Sequence, residues 1–150
     1  MKAQASAELL VMVAIMAVFI LPLLLITYVN ASTSGEKATI SQASRAASQI
    51  ASTADSVGYL GSGSSMFAEI EMPANVQGIE IRNSSSISEI VLNISTSSGT
   101  NQLVFVSRFP LSASTDDLQR LATIGLHRVN IRAGNFEAGK ARPAVSLKLN

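Results

Sequence analysis

The sequence predicts an α+β protein: a long N-terminal α-helical spine over residues 4–57, then a small antiparallel β-sandwich or barrel-like domain over 58–150. Three observations predict it. The run Leu9 to Val29 is apolar or nearly so, and no charge follows Glu8 until Glu36. Next, Ile40, Ala43, Ala47, Ile50, Ala54 and Val57 recur at alternating three- and four-residue spacing, the stripe of an amphipathic helix. Beyond the glycines at 58, 61 and 63 the apolar period falls to two, the period of half-buried strands.

Taken from the N-terminus, the 21 residues Leu9–Val29 would form roughly 32 Å of helix, enough to cross a bilayer core. An ordinary secretory signal has a shorter apolar core and a small-residue cleavage site beyond it; this run is too long and no such site follows closely. Glu8 stands at the apolar border. A carboxylate there is costly unless paired, and the expected helix start puts it in the first turn, where the macrodipole favours negative charge. Pro22 removes a backbone donor inside the run, so a kink or local loosening is expected there.

From Ala31 to Val57 the residues are small and polar around the stripe, with Ser41, Ser44, Ser48 and Ser52 off it. The spacing extends one helix to about Val57, roughly 80 Å from Ala5. Gly35 is its weakest point. Gly58 and Gly61-Ser62-Gly63 are expected to end it.

Six strands follow by alternation: around Ile70 and Met72, Ile79 and Ile81, Ile90 to Ile94, Leu103 to Val106, Val129 and Ile131, and Val145 to Leu149. Turns separate them at Pro73-Ala74-Asn75, Asn83 to Ser86, Ser97-Ser98-Gly99 and Ala133-Gly134-Asn135. Leu103-Val104-Phe105-Val106 is apolar on both faces, so it is either a central strand or one that also contacts another subunit. Ser114 to Gly125 reads either as a short helix capped by Ser114, with Leu118, Leu121 and Ala122 inward, or as a strand and a turn.

Composition bounds the function. At 150 residues, one small core fits beside the anchor. The net charge of +1 gives no electrostatic case for nucleic acid. There is no cysteine, hence no disulfide or thiol chemistry. The weakly charged surface, rich in Ser and Thr, suits an exposed protein or a subunit buried against its own copies.

The head of the chain carries a resemblance. Gln4-Ala5-Ser6-Ala7-Glu8 resembles the Q-x-S-x-E head of archaeal type IV pilin precursors, the class III signal peptides. Lys2-Ala3 before it fits that pattern, while Met12 stands where the family often has Leu. The resemblance implies cleavage between Ala3 and Gln4 by a prepilin-type peptidase, releasing residues 1–3. It implies retention of the apolar helix, first in the cytoplasmic membrane and then in the core of a surface filament. It also implies that Glu8 meets the new Gln4 ammonium of a neighbouring subunit and sets axial register. The partners implied are copies of the chain, the peptidase, an assembly ATPase and its membrane platform. Residues 73–81 are weakly similar to an early strand region of archaeal pilin domains.

No catalytic constellation stands out, and no enzyme activity, metal or cofactor is expected. His127 shares its register with Val129 and Ile131 and reads as structural. Asp116-Asp117 reads as the acidic first turn of a short helix, and Glu69 and Glu71 as a wet strand face. Of three N-x-S sequons, Asn83 and Asn93 read as surface glycosylation acceptors, while Asn30 falls where a filament core would bury it. Two functions compete: a structural pilus subunit, with adhesion as its use, and a membrane-anchored or minor pilin-like surface binding module.

Overall fold

A computed structural model describes residues 2–84, 87–134 and 144–149, with the side chains of residues 2–6 and 32 set aside. The elements are α1 (Lys2–Leu60), β1 (Ser65–Met72), β2 (Val76–Asn83), β3 (Ser88–Thr96), β4 (Gly99–Ser107), β5 (Leu111–Ala113), α2 (Thr115–Leu121), β6 (Gly125–Ala133) and β7 (Val145–Leu149). The long helix followed by β-sheets makes the chain α+β, as its two periodicities require. Two compact units divide it, Met1–Lys37 and Ala38–Asn150.

Residues 2–37 are a single stretch of α1. The helix begins at Lys2, so its first turn holds no acidic residue, and Glu8 does not occupy the first-turn position expected of it. Alanines 3, 5 and 7 are strong helix formers, and nothing among them stops the helix earlier. The helix runs through Pro22 and Gly35 alike.

The second unit packs the rest of α1 against two sheets. One has the order β1-β6-β7-β5 and the other β2-β3-β4. All neighbours are antiparallel except β5 and β7, which are parallel, with Leu111 beside Val145 and Ala113 beside Leu147. This corrects the all-antiparallel expectation. At three residues, β5 is too short to show alternation in the sequence. Expected inward residues are inward: Ile70 and Met72 on β1, Ile79 on β2, Ile90, Leu92 and Ile94 on β3, Val129 and Ile131 on β6, and Val145, Leu147 and Leu149 on β7, while Ile81 is only partly buried against the same core. They share one core with Ala43, Ala46, Ala47, Ile50, Ala51, Ala54 and Val57 of α1. Most of the buried positions on that stripe are alanine, with Ile50 and Val57 the larger side chains among them.

The helix does not end at Gly58. It continues to Leu60, and Gly58 inside it is a packing glycine: a Cβ there would lie 2.5 Å from Cγ and Cδ2 of Phe109. Phe109 is buried and meets Tyr59 edge-on at 5.0 Å between ring centroids. The stop falls at Gly61, at φ +88°, a left-handed conformation that glycine adopts without cost. Ser64 Oγ then donates to the Val57 carbonyl at 2.8 Å and to the Gly61 carbonyl at 2.6 Å. Nearby, Asp55 pins the β4–β5 corner to α1. Its Oδ1 accepts from Ser107 Oγ and from the Arg108 amide, each at 2.8 Å.

Of the two readings for 114–125, the structure takes the helix. Ser114 Oγ accepts from the Asp117 amide at 3.0 Å and donates to the Asp117 carboxylate at 2.8 Å. Leu121 is buried and Leu118 and Ala122 pack against the core. Gly125, at φ +131°, turns the chain into β6. The segment 103–106 is not central: β4 is the edge of its sheet, and Val104 and Val106 are 51% and 52% exposed.

Candidate functional site: the uncovered apolar helix

The site lies in the first unit. From Leu9 to Val29 the large apolar side chains of α1 are all exposed, Phe19 at 74% and Tyr28 at 76%. The most apolar 18-residue window has a mean hydropathy of 3.2 and none of it is buried, so this helix is long and apolar enough to cross a membrane. Fully burying a Leu, Ile, Phe, Val or Met side chain gains about 1.5–3 kcal/mol relative to water. A stretch carrying so many of them cannot stay in water uncovered. It needs lipid or other apolar helices.

Hydroxyls within the stretch and just beyond it are arranged for such surroundings. Thr27 Oγ1 donates to the Leu23 carbonyl at 2.8 Å, and Thr33 Oγ1 to the Val29 carbonyl at 3.0 Å. Each hydroxyl is satisfied one turn back along its own helix, which removes the cost of placing it where no water reaches. A threonine inside an apolar run is the sequence signal for Thr27; Thr33 lies just past the run and carries no such signal. Pro22 is exposed and has no amide to offer, so the Val18 carbonyl lacks its usual donor. Glu8 is exposed at the head of the apolar surface. The side chains of Ala3, Gln4 and Ser6 lie outside the described residues, although their backbone belongs to α1.

The remaining candidates all fall in the second unit. Asn83 is exposed and ends β2, but its amide is in use. Nδ2 donates to the Leu111 carbonyl at 2.8 Å, and Oδ1 accepts from the Leu111 amide at 3.3 Å and from Ser88 Oγ. Buried Ser88 also accepts from the Leu111 amide at 2.7 Å. The pair therefore joins the β2–β3 sheet to the edge of β5. Asn93 is half-buried in β3, and its Oδ1 is buried without a hydrogen-bond partner. The third residue of the Asn83 sequon, Ser85, lies outside the described residues, as does Asn135 of the last expected turn.

His127 sits opposite Ile70, and its Nε2 lies 2.7 Å from the Thr123 carbonyl. A carbonyl only accepts, so Nε2 carries the proton and ties the start of β6 to the end of α2. Asp116 and Asp117 stand in the first turn of α2, and Glu69 and Glu71 are exposed on β1. Among the described residues, no three His, Asp or Glu side chains group as metal ligands would.

Comparison of the chain with protein-family models, with curated proteins and with solved structures finds no match. The class is therefore set by the molecule alone: an α+β chain whose long N-terminal apolar helix, as in pilins, leads into a β-rich domain.

Proposed function

We propose that the chain is the structural subunit of an archaeal type IV pilus, a surface filament built for adhesion. The observation that carries this reading is the uncovered apolar helix headed by Gln4-x-Ser6-x-Glu8. Before assembly the helix lies in the cytoplasmic membrane. A prepilin-type peptidase removes residues 1–3, and the helices of many copies then pack into a central bundle, leaving the β-rich domain outside. Exchanging lipid for protein contacts gains little, so a motor ATPase and a membrane platform supply the work. The same helix would serve a membrane-tethered surface binding module, which keeps it in lipid.

N-terminal sequencing separates the two. Subunits recovered from surface filaments and beginning at Gln4 support the filament. A chain that keeps Met1 and stays in the membrane fraction refutes it.

A further inference from the structure

The two sheets of the second unit turn their inward residues to one core, and each presents an outer face of its own. On the first sheet, the outer face of β6 and β7 carries Arg128, Arg132 and Lys148, all exposed. Lys148 lies directly across from Asn130, and Arg128 and Arg132 lie two residues to either side of Asn130 on β6. Neighbouring like charges on a sheet are destabilising. Yet among the described residues, none of the three is within ion-pair distance of a carboxylate, as Arg82 is of Glu80. Arg128 faces Glu69 across the strands but turns instead over the Phe67 ring, 4.6 Å from its centre. Phe67 is itself 51% exposed. Glu69 and Glu71 lie on the β1 side of this face, where Arg45 of α1 borders them.

The outer face of the second sheet has the opposite character. Glu80 and Glu89 flank Arg82, whose guanidinium is already held by Glu80 at 2.9 Å. Beside Glu89 in register stands Val106, and beside Val91 stands Val104, the two exposed valines of the edge strand β4. One face thus offers unpaired cations next to an exposed aromatic ring. The other offers carboxylates next to an exposed apolar pair.

We propose that the β6–β7 face of one copy docks on the β2–β4 face of the next, Arg132 and Lys148 against Glu80 and Glu89, and Phe67 against Val104 and Val106. Because the two faces are different patches of the domain, the contact is head-to-tail and leaves one unmatched face at each end of a row. Such contacts do not close dimers; they build rings or, where the rotation does not close, open helical rows as a filament requires. The inference rests on the filament reading and assigns its outer layer.

The test reverses charge on each face of the full-length chain in its own cells. Arg132→Glu with Lys148→Glu, or Glu80→Lys with Glu89→Lys, should each reduce recovered filaments at least tenfold. All four changes in one chain should restore them, because both faces are reversed together. Unmodified filaments should also dissociate at lower temperature as salt rises, since the docked charges are screened. Filaments of normal yield from either pair of reversals overturn the docking, as do reversals that the fourfold variant fails to rescue or salt-independent dissociation of the unmodified filament. If the unmodified chain forms no filament at all, the filament reading fails first, and the docking fails with it.

Discussion

Gly58→Ala tests the packing of α1 most sharply, because two effects of opposite sign act at one atom. Alanine favours a helix interior over glycine by about 1 kcal/mol. Against this, the new Cβ would fall 2.5 Å from two atoms of the Phe109 ring and 2.7 Å from a third. The ring cannot simply swing away, since it is buried and stands edge-on to Tyr59. Overpacking of a filled core costs about 1–3 kcal/mol, and contact this close belongs at the upper end. The net expectation is a loss of about 1–2 kcal/mol, or a melting temperature lower by roughly 4–8 °C for a domain near one hundred residues. Far-ultraviolet circular dichroism of the full chain in detergent micelles measures it. Two controls isolate the cause. Gly35→Ala, where the added Cβ meets nothing within 4 Å, should not lower the melting temperature. Gly58→Ala in a Phe109→Ala background should change sign and stabilise by about 1 kcal/mol, since only helix propensity then remains. A Gly58→Ala chain as stable as the unmodified one, or no change of sign without the ring, refutes the reasoning.

Three further perturbations follow from the same geometry. Asp55→Ala removes the acceptor shared by Ser107 Oγ and the Arg108 amide; thermal unfolding should show a loss of about 2–3 kcal/mol, with Asp55→Asn milder because one acceptor oxygen stays. Asn83→Gln should destabilise the chain by about 1–2 kcal/mol even when made in cells without a glycosylation pathway, because the hydrogen bonds to Leu111 are lost; equal stability there would leave Asn83 no structural role. Glu8→Ala should leave membrane insertion intact while filament yield falls, read by fractionation beside electron microscopy; normal filaments would remove Glu8 from assembly.

Much of the fold was legible because two clean periods dominate the sequence. The stripe from Ala43 to Val57 and the alternation at Ile70–Met72, Val129–Ile131 and Val145–Leu149 place their residues in the core where they stand. What escaped depends on tertiary contact. Gly58 has the composition of a helix stop, and only Phe109, some fifty residues on, makes it a packing position. Strand β5 has three residues, and its parallel partner β7 lies beyond α2 and β6, so no local pattern announces it. The edge position of β4 was hidden for the same reason. Apolar residues on both faces of a strand say that both faces avoid water, not whether the second cover comes from the same chain. The candidate site divides similarly: the apolar run is plain in the sequence, while the back-bonded hydroxyls of Thr27 and Thr33 needed coordinates.

One helix thus meets two different burial problems, and its composition changes between them. From Ala43 to Ala54 the buried positions are mostly alanine, and they share a core with two sheets of the same chain. A large side chain there would force the layers apart. From Leu9 to Val29 the side chains are mostly large and point outward on every side. A helix apolar all round has no single face to bury and must be surrounded. Among the described residues these side chains are uncovered, and a surrounding of identical helices would leave Glu8 the one charge in its midst. A carboxylate so placed is held only by a cation at the same depth. Removal of residues 1–3 would create that cation at Gln4, and would place it within reach of Glu8 only when the neighbouring helix is shifted along the common axis. On this argument the register of the assembly is set by where the leader is cut. Moving Glu8 by one helical turn, to position 12, should therefore abolish filaments even though charge and hydropathy stay nearly the same; assembly of normal yield from that variant would show that the carboxylate does not read register.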